Sequence, residues 1–231
     1  MTIANNNQKL AASIRDEKEI NKGNRIILVK NDGTEEQVSE LKNVQITFVG
    51  GDSIVKIHES YNIAHMRLYV GEGGYIEIGR KFTVRFHLYI DAKADNTTVR
   101  IGDFVNIGRG EIYAGDEQGL EVIIGNNFMT SLDMYLRNAD GHTIYDIKSR
   151  EPVNRPIFGV HIGDNVWCGY GVTILKDADI PSNCILGACS VVGKGSFEEN
   201  SIIAGVPART IRTGVMWDKR TVTRYIAEEN T

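Results

Sequence analysis

The chain has 231 residues, of which 42% are hydrophobic, and a formal net charge of −4. This length suits one domain with short appendages, and the slight negative charge argues against a broad nucleic-acid-binding surface. The N-terminus lacks the basic start and apolar run of a signal peptide, no apolar stretch is long enough to span a membrane, and the 3 cysteines show no metal or redox spacing. We therefore expect a cytoplasmic protein with neither a nucleic-acid partner nor a membrane span.

The N-terminal part, residues 1–43, is predicted to be an extension that includes the first strands. Arg25–Lys30 has the strand-like sequence RIILVK and is followed by the turn signal Asn31-Asp32-Gly33. A further strand is predicted over Val44–Val49, where a β-helix domain over 44–212 begins. Residues 213–231 are predicted to be a C-terminal tail with a short helix after Trp217. The Trp217 ring is expected to cap the end of the coils, with contact to CoA as the alternative.

Aliphatic residues then recur at nearly constant intervals. Ile57, Ile78, Ile101 and Ile124 are separated by 21, 23 and 23 residues, and each is followed by further apolar residues at short spacing. Polar, glycine-rich segments such as GEGGY and DAKADN fit surface insertions between these repeats. Each interval matches one coil of about 18 residues with a few inserted corner residues.

Between Ile162 and Val192 the period is a strict six residues, in the order IGDNVW, CGYGVT, ILKDAD, IPSNCI and LGACSV. This period fits neither a helix nor a lone strand, but it fits a chain that turns a corner after each face and points one side chain inward per face. Gly, Asp and Asn after the inward residue are predicted to form the tight corners, since these residues tolerate left-handed backbone angles. The inward residues are Ile162, Cys168, Ile174, Ile180, Leu186 and Val192 in the first position, and Val166, Val172, Ala178, Cys184 and Ser190 in the fifth.

A long insertion interrupts the repeat. The interval from Ile124 to Ile162 is 38 residues, which is 23 plus 15, and the extra residues fall in the segment 137–159. A long irregular loop in an economical repeat is often functional. The insertion contains His142. Its position alone fits both a general base beside a cleft and an ordinary surface histidine. Asp140 and Asp146 are both candidates to orient the His142 ring.

Several motifs together resemble the hexapeptide-repeat acyltransferases. These are the D-G-H loop, V-W-C-G-Y-G at Val166–Gly171, and S-I-I-A-G-V-P-A-R at Ser201–Arg209. The resemblance covers about Val44 to Arg212 and is greatest to bacterial capsule and polysialic acid O-acetyltransferases. It implies an all-β fold, a left-handed parallel β-helix with a long catalytic loop insertion and a short C-terminal tail or helix. It also implies a homotrimer with shared active sites.

The resemblance further implies roles for particular residues. His142 corresponds to the catalytic base, and Trp167 to the tryptophan that lines the acyl-CoA or acceptor cleft. Backbone groups of the later motifs and nearby basic residues correspond to the acetyl-CoA site. The cofactor-binding residues expected here are Tyr170, Lys176, Gly187, Ala188, Lys194, Ala204, Gly205, Arg209 and Arg212. Where small-sugar members place an acceptor-orienting Asn, this chain has GRGEIYAG, so Glu111 or Tyr113 stands there instead.

The expected function is an acetyl-CoA-dependent O-acetyltransferase acting on a hydroxyl of a bacterial surface polysaccharide, including sialic acid-containing ones, or of its precursor. Direct transfer with His142 as base is expected, because no activated Ser or Cys nucleophile is evident. The alternatives are N-acetylation of an amino sugar nucleotide and a non-enzymatic β-helix scaffold. His58, His65, His87 and His161 are scattered without acidic partners at ligand spacing, so no catalytic metal is expected.

Overall fold

The computed structural model describes residues 22–229, which form a parallel β-solenoid of about 7 coils followed by one short helix. Residues 1–21 of the predicted N-terminal extension and residues 230–231 of the predicted tail lie outside the described residues. In chain order the elements are β1 (Arg25–Val29), β2 (Glu35–Val38), β3 (Val44–Phe48), β4 (Ile54–His58), β5 (Asn62–Ile63), β6 (Met66–Val70), β7 (Tyr75–Ile78), β8 (Thr83–Ala92), β9 (Thr98–Ile101), β10 (Asn106–Tyr113), β11 (Glu121–Ile124), β12 (Met129–Thr130), β13 (Met134–Arg137), β14 (Gly159–Ile162), β15 (Trp167–Cys168), β16 (Thr173–Ile174), β17 (Ala178–Ile180), β18 (Ile185–Leu186), β19 (Val191–Val192), β20 (Ser201–Gly205), β21 (Ala208–Thr213) and α1 (Val222–Glu229).

The strands make three faces, and each coil contributes one strand to each face. Face one contains β1, β4, β7, β9, β11, β14 and β17 in parallel, with β2 antiparallel to β1 at its edge. Face two contains β5, the first halves of β8 and β10, β12, β15, β18 and β20, and face three contains β3, β6, the second halves of β8 and β10, β13, β16 and β19. The long strands β8 and β10 turn the corner between faces two and three.

A column of aliphatic side chains fills the interior and confirms the six-residue pattern. All eleven inward positions predicted between Ile162 and Val192 are buried, and Ser190 among them is only 1% exposed. The earlier coils add Ile57, Ile78, Ile101 and Ile124 at the same place on face one, each at most 2% exposed. Each stacked coil therefore buries apolar surface from its neighbours on both sides, which is the main source of stability in such a fold.

Asparagines, one of the residue types predicted for the corners, supply the left-handed backbone at the corner between faces one and two. Asn127, Asn165 and Asn183 have φ of 54°, 57° and 62°, and their side chains form a ladder with hydrogen bonds of 2.7 and 2.9 Å. Gly163 has no positive φ. A Cβ on Gly163 would lie 2.6 Å from the Ser182 nitrogen, so this glycine is required by the close approach of the next coil. The prediction of left-handed angles at the corners is thus confirmed for the asparagines and is wrong for Gly163.

The C-terminal tail turns back along the flank of the solenoid after the antiparallel pair β20 and β21. Helix α1 confirms the short helix predicted after Trp217. The expectation that Trp217 caps the end of the coils is wrong. The centroid of its indole ring lies 6.2 Å from the centroid of the Trp167 ring. Its Nε1 donates a 2.6 Å hydrogen bond to the Asn165 carbonyl. A 2.9 Å hydrogen bond from the Val215 nitrogen to the Asn200 carbonyl directs the tail to this flank.

Candidate active site

The insertion joins the end of β13 at Arg137 to the start of β14 at Gly159, at the corner between faces three and one. His142 is exposed on this loop and lines a cleft of about 330 Å³ together with Glu117, Leu120 and Pro152. Within residues 22–229, no hydrogen bond to the His142 imidazole is seen. The ring is therefore available to a hydroxyl that enters the cleft, as a general base has to be.

Asn154 fixes the backbone around His142. Its side-chain Nδ2 donates to the Asp140 carboxylate at 2.7 Å and to the His142 carbonyl at 2.9 Å. Its Oδ1 accepts a 2.8 Å hydrogen bond from the Ile144 nitrogen. One side chain thus bonds to residues on both sides of His142 and to the His142 carbonyl itself, so it holds the segment that carries the imidazole.

The corner after β16 attaches the loop to the solenoid. The Lys176 ammonium donates to the Asp140 carboxylate and, at 2.6 Å, to the Asn154 carbonyl. The hydrogen bond from Lys176 is the main reason that the pKa of Asp140 is lowered. The next residue, Asp177, is buried, and its carboxylate accepts from the backbone nitrogens of Ile157 and Phe158 at 2.7 and 3.2 Å. Both ends of the insertion are therefore bonded to one corner of the coil stack.

Neither of the two predicted orienting carboxylates contacts the His142 ring in this chain. Asp140 is bonded to Lys176 and Asn154, as described. Asp146 accepts hydrogen bonds from the backbone nitrogens of Lys148 and Ser149 at 2.9 and 2.8 Å, which closes the turn at the tip of the loop. The role of orienting the imidazole therefore stays a prediction for both residues.

Trp167 lies on the outside of face two, where its side chain is 37% exposed. On that face its strand neighbours are Met129 and Ile185. Met129 also lines a groove of about 750 Å³ that continues along face two past Asn106 and Thr83 and is bordered by Lys219 of the tail. Trp167 therefore points away from the coil, while its catalytic role stays a prediction.

Five of the residues predicted to bind acetyl-CoA lie together at the corner between faces two and three. The Cys189 nitrogen donates to the Tyr170 carbonyl at 2.7 Å, which places the segment of Gly187 and Ala188 directly beside Tyr170. A Cβ on Gly187 would lie 2.8 Å from Cβ of Ala204, and the Gly205 nitrogen donates to the Ser190 hydroxyl at 3.1 Å. The small side chains and exposed backbone of this corner suit an extended ligand that carries amides.

The four basic residues predicted to meet the CoA phosphates are divided between two places. Arg209 and Arg212 lie exposed on β21, beside the cluster of small residues, and the Arg209 guanidinium bonds to the Ala208 carbonyl at 2.8 Å. Lys194 is exposed after β19, and Lys176 lies after β16, so both occupy the corner between faces three and one. The Lys176 ammonium is bonded to Asp140 and Asn154, so its polar contacts in this chain are with the loop that carries His142.

The predicted site residues thus fall into two groups within one chain. His142, Lys176 and Lys194 belong to the corner between faces three and one. Trp167 and the residues near Tyr170 belong to face two and its corner with face three. The structure does not bring the two groups together in a single chain.

Sequence reasoning missed the residues that hold the loop. Asn154 lies between two prolines in P-V-N-R-P. This position was the only feature of the sequence that could have indicated its structural role. Asp177 was not predicted, because the residue before it, Lys176, was expected to bind phosphate and no separate role was assigned to its neighbour. Glu111 and Tyr113, the predicted substitutes for an acceptor-orienting Asn, lie on the outside of β10 on face three, and Tyr113 is a cross-strand neighbour of Arg137 at the root of the loop.

Residues 22–229 contain no helix long and apolar enough to cross a membrane. Over the same range, no group of three or more His, Cys, Asp or Glu side chains is placed to hold a metal ion. The absence of a catalytic metal stays a prediction.

Comparison with known proteins identifies relatives, although no protein-family model matches the chain. The chain is 30% identical over 176 residues to a polysialic acid O-acetyltransferase of Neisseria meningitidis, which covers 76% of this chain and 80% of that protein. It is 32% identical over 145 residues to the galactoside O-acetyltransferase of Escherichia coli K12, covering 63% of this chain. The chain spans only about half the length of several relatives. For example, it spans 57% of the galactoside enzyme.

The fold is also that of a solved structure. The polysialic acid-specific acetyltransferase NeuO superposes with a TM-score of 0.73 at 22% identity, covering 90% of this chain and 95% of that one. This likeness confirms the predicted left-handed parallel β-helix. With the sequence relationship to the N. meningitidis protein, it shows that the chain belongs to the hexapeptide-repeat, left-handed β-helix acyltransferases that include the bacterial polysialic acid O-acetyltransferases.

Proposed function

We propose that the protein is an acetyl-CoA-dependent O-acetyltransferase that acts on a hydroxyl of a bacterial surface polysaccharide or of its precursor. The observation that carries the proposal is the loop around His142, in which Asn154 and Lys176 fix the backbone while the imidazole is left without a hydrogen bond in the described chain. The names of the relatives, which include O-acetyltransferases of polysialic acid and galactosides, support the reaction type. Its cytoplasmic location stays a prediction.

In the proposed mechanism, His142 accepts the proton of the acceptor hydroxyl while the oxygen attacks the thioester carbonyl carbon. The tetrahedral intermediate collapses by breaking the carbon–sulfur bond, and the imidazolium returns its proton to the departing CoA thiolate. A backbone amide or the indole N–H of Trp167 stabilises the oxyanion. Cys168 is not a nucleophile in this mechanism, because burial raises the pKa of its thiol well above the usual range.

Acetyl-CoA is proposed to bind at the corner between faces two and three. The backbone groups near Gly187, Ala188, Ala204 and Gly205 match the pantetheine amides, and Tyr170 flanks them. Arg209 and Arg212 on the adjacent β21 are exposed and supply guanidinium groups for the phosphates. Lys194 lies on the other corner and would serve a CoA molecule held by a neighbouring subunit.

The protein is further proposed to form a homotrimer, which the division of the site supports. His142 and Trp167 lie on different sides of one chain, so a complete site needs the loop of one subunit beside face two of the next. The loop has the apolar surface for such a contact, since Ile147 is 84% exposed. Other exposed apolar side chains of the loop are Ile144, Tyr145, Val153 and Ile157. Surface of this kind is typical of protein–protein contacts.

The test is mass spectrometry of acceptor polysaccharides and nucleotide sugars incubated with acetyl-CoA and the protein. We expect a base-labile O-acetyl product, and a His142→Ala variant should lower turnover by about 10²–10⁴-fold with little change in CoA affinity. His58→Ala, which changes a histidine of face one, is the matched control. A base-stable product would indicate N-acetylation, the absence of any thioester consumption would indicate a scaffold, and near-normal turnover in His142→Ala would remove His142 as the base.

A further inference from the structure

Four tyrosines form a column on the outside of face three. Tyr69, Tyr89, Tyr113 and Tyr135 come from the consecutive strands β6, β8, β10 and β13, and successive ring centroids are 5.8, 5.5 and 5.4 Å apart. The column crosses three strand spacings, about 14 Å along the solenoid axis. We call these four residues the tyrosine column.

Carboxylates accompany the tyrosine column. The Tyr89 hydroxyl donates a 3.2 Å hydrogen bond to Asp91, and Lys93 pairs with Asp91 at 2.6 Å while its ammonium lies 5.0 Å from the centroid of the Tyr69 ring. Burial and then the Asp91 charge raise the pKa of Tyr89 to about 12. Burial and the Glu111 carboxylate also raise the pKa of Tyr113. These tyrosine hydroxyls therefore stay protonated at neutral pH and remain hydrogen-bond donors.

The tyrosine column ends at the loop that carries His142. Tyr113 is the cross-strand neighbour of Arg137, the last residue before the insertion. The Arg137 guanidinium lies against Gly141, where a Cβ would be 2.9 Å from its Nη2, and the residue after Gly141 is His142. A chain lying along the column therefore leads toward the proposed base.

Two hollows run beside the tyrosine column, of about 320 and 390 Å³, and both are lined by His87 and Glu111. The first also touches Tyr89 and Tyr113, and the second touches Tyr135. Ring faces beside carboxylates and tyrosine hydroxyls suit a ligand that has both C–H surfaces and many hydroxyl groups. A pyranose chain has both.

The occupant is not expected to be another subunit, because the cores of subunit interfaces are depleted in Asp and Glu. The largest exposed apolar side chains lie instead in the loop and the tail, as at Ile147 and Val222. The charges near the column also balance, so no excess positive charge is present for an anionic polymer. The cations are Arg67, Lys93, Arg109 and Arg137, and the carboxylates are Asp91, Glu111, Asp116 and Asp133.

We propose that the tyrosine column is a binding tract for an uncharged oligosaccharide or polysaccharide acceptor, held so that one of its hydroxyls reaches His142. The role of the bound chain as acceptor rests on the proposed function, but binding along the column is testable without catalysis. The proposal gives Tyr113, one of the two residues predicted to stand where small-sugar enzymes have an Asn, a role in holding a chain of sugars.

The experiment is calorimetric titration of the full-length protein, without acetyl-CoA, with neutral cello-, malto- and chito-hexasaccharides, the corresponding disaccharides and a hexamer of α2,8-linked sialic acid. We expect at least one neutral hexasaccharide to bind more tightly than its disaccharide and than the sialic acid hexamer. Tyr89→Ala and Tyr113→Ala should each weaken hexasaccharide binding roughly 10-fold. Tyr113→Leu keeps apolar bulk without the ring and replaces Tyr113→Ala if that variant unfolds.

Tyr75→Ala is the matched control, since Tyr75 is an equally half-buried tyrosine on face one and packs against Arg100. It should bind the hexasaccharide like the wild type. The inference is overturned if no neutral hexasaccharide binds better than its disaccharide, if the sialic acid hexamer binds best, or if Tyr75→Ala and Tyr113→Ala lose binding equally. Dissociation of the oligomer in Tyr113→Ala, seen by light scattering, would instead make the column a subunit contact. Failure of the acetylation assay with hexasaccharide binding intact would refute the proposed function alone.

Discussion

Replacing Asn154 by alanine tests whether the loop geometry, and not only the presence of His142, matters for the proposed reaction. The change removes three hydrogen bonds of the side chain, to Asp140, to the His142 carbonyl and from the Ile144 nitrogen. The Lys176 contact to the Asn154 carbonyl uses backbone and is kept. The variant therefore loosens the segment around His142 without detaching the loop from the solenoid.

The magnitude follows from the number of bonds lost. A neutral hydrogen bond contributes about 0.5–1.5 kcal/mol net and one to a carboxylate somewhat more, but all three bonds are exposed to solvent. Together they therefore stabilise the observed loop conformation by about 2 kcal/mol. That difference corresponds to a roughly 30-fold change in the equilibrium constant between the ordered and the disordered loop. We expect kcat to fall by up to about this factor. The melting temperature should change little, because the aliphatic column of the solenoid is untouched.

The assay is steady-state kinetics with acetyl-CoA and the acceptor, combined with calorimetric melting of the same preparation. Ser149→Ala is the control within the same loop, since it removes a 3.2 Å hydroxyl bond to Asp146 at the loop tip and none near His142. It should retain wild-type turnover. If Asn154→Ala keeps kcat within about twofold, or loses it only together with the melting transition, Asn154 does not position His142.

Two further predictions concern the other half of the site and the loop tether. Trp167→Ala should keep the oligomer by size exclusion and lose catalytic efficiency; early dissociation would make Trp167 a subunit contact, and unchanged kinetics in an intact oligomer would remove it from the site. The pKa of Asp140 is lowered mainly by its hydrogen bond from Lys176, so its contribution to loop order is complete above the unfolded carboxyl pKa near 4 and is lost as the pH falls through the lower folded value. Carbon-13 NMR titration should show this lowered pKa, and Lys176→Met should return it toward the ordinary range. An unchanged Asp140 pKa in that variant would contradict the tether.

The coil architecture was predictable because it depends on a short local period. The inward positions from Ile162 to Val192 follow one another at fixed spacing, and each needs only an aliphatic or small side chain. The insertion that carries His142 was found by the same arithmetic, as a 38-residue interval where 23 is usual. In both cases a regular backbone turns sequence distance directly into position in space.

The contacts that hold the site were not predictable in this way. Asn154 bonds to residues 10 to 14 positions earlier, through a loop with no repeating geometry. Tyr69, Tyr89, Tyr113 and Tyr135 are separated by 20, 24 and 22 residues, because corner insertions of unequal length intervene. The rings also alternate between two rows of face three, with Tyr69 opposite Asp91 and Tyr89 opposite Arg67. The strand register was needed to see that they form one column.

The antiparallel strand β21 has a consequence for the association of molecules end to end. A stack of parallel coils ends in strands with unpaired backbone groups, which are a template for addition of another chain. On face two the last parallel strand, β20, is instead paired along its length with β21, which runs in the opposite direction. A second molecule that continued the parallel stack would have to pair with β20, whose edge is already occupied by β21, so the hairpin blocks parallel end-to-end stacking on this face.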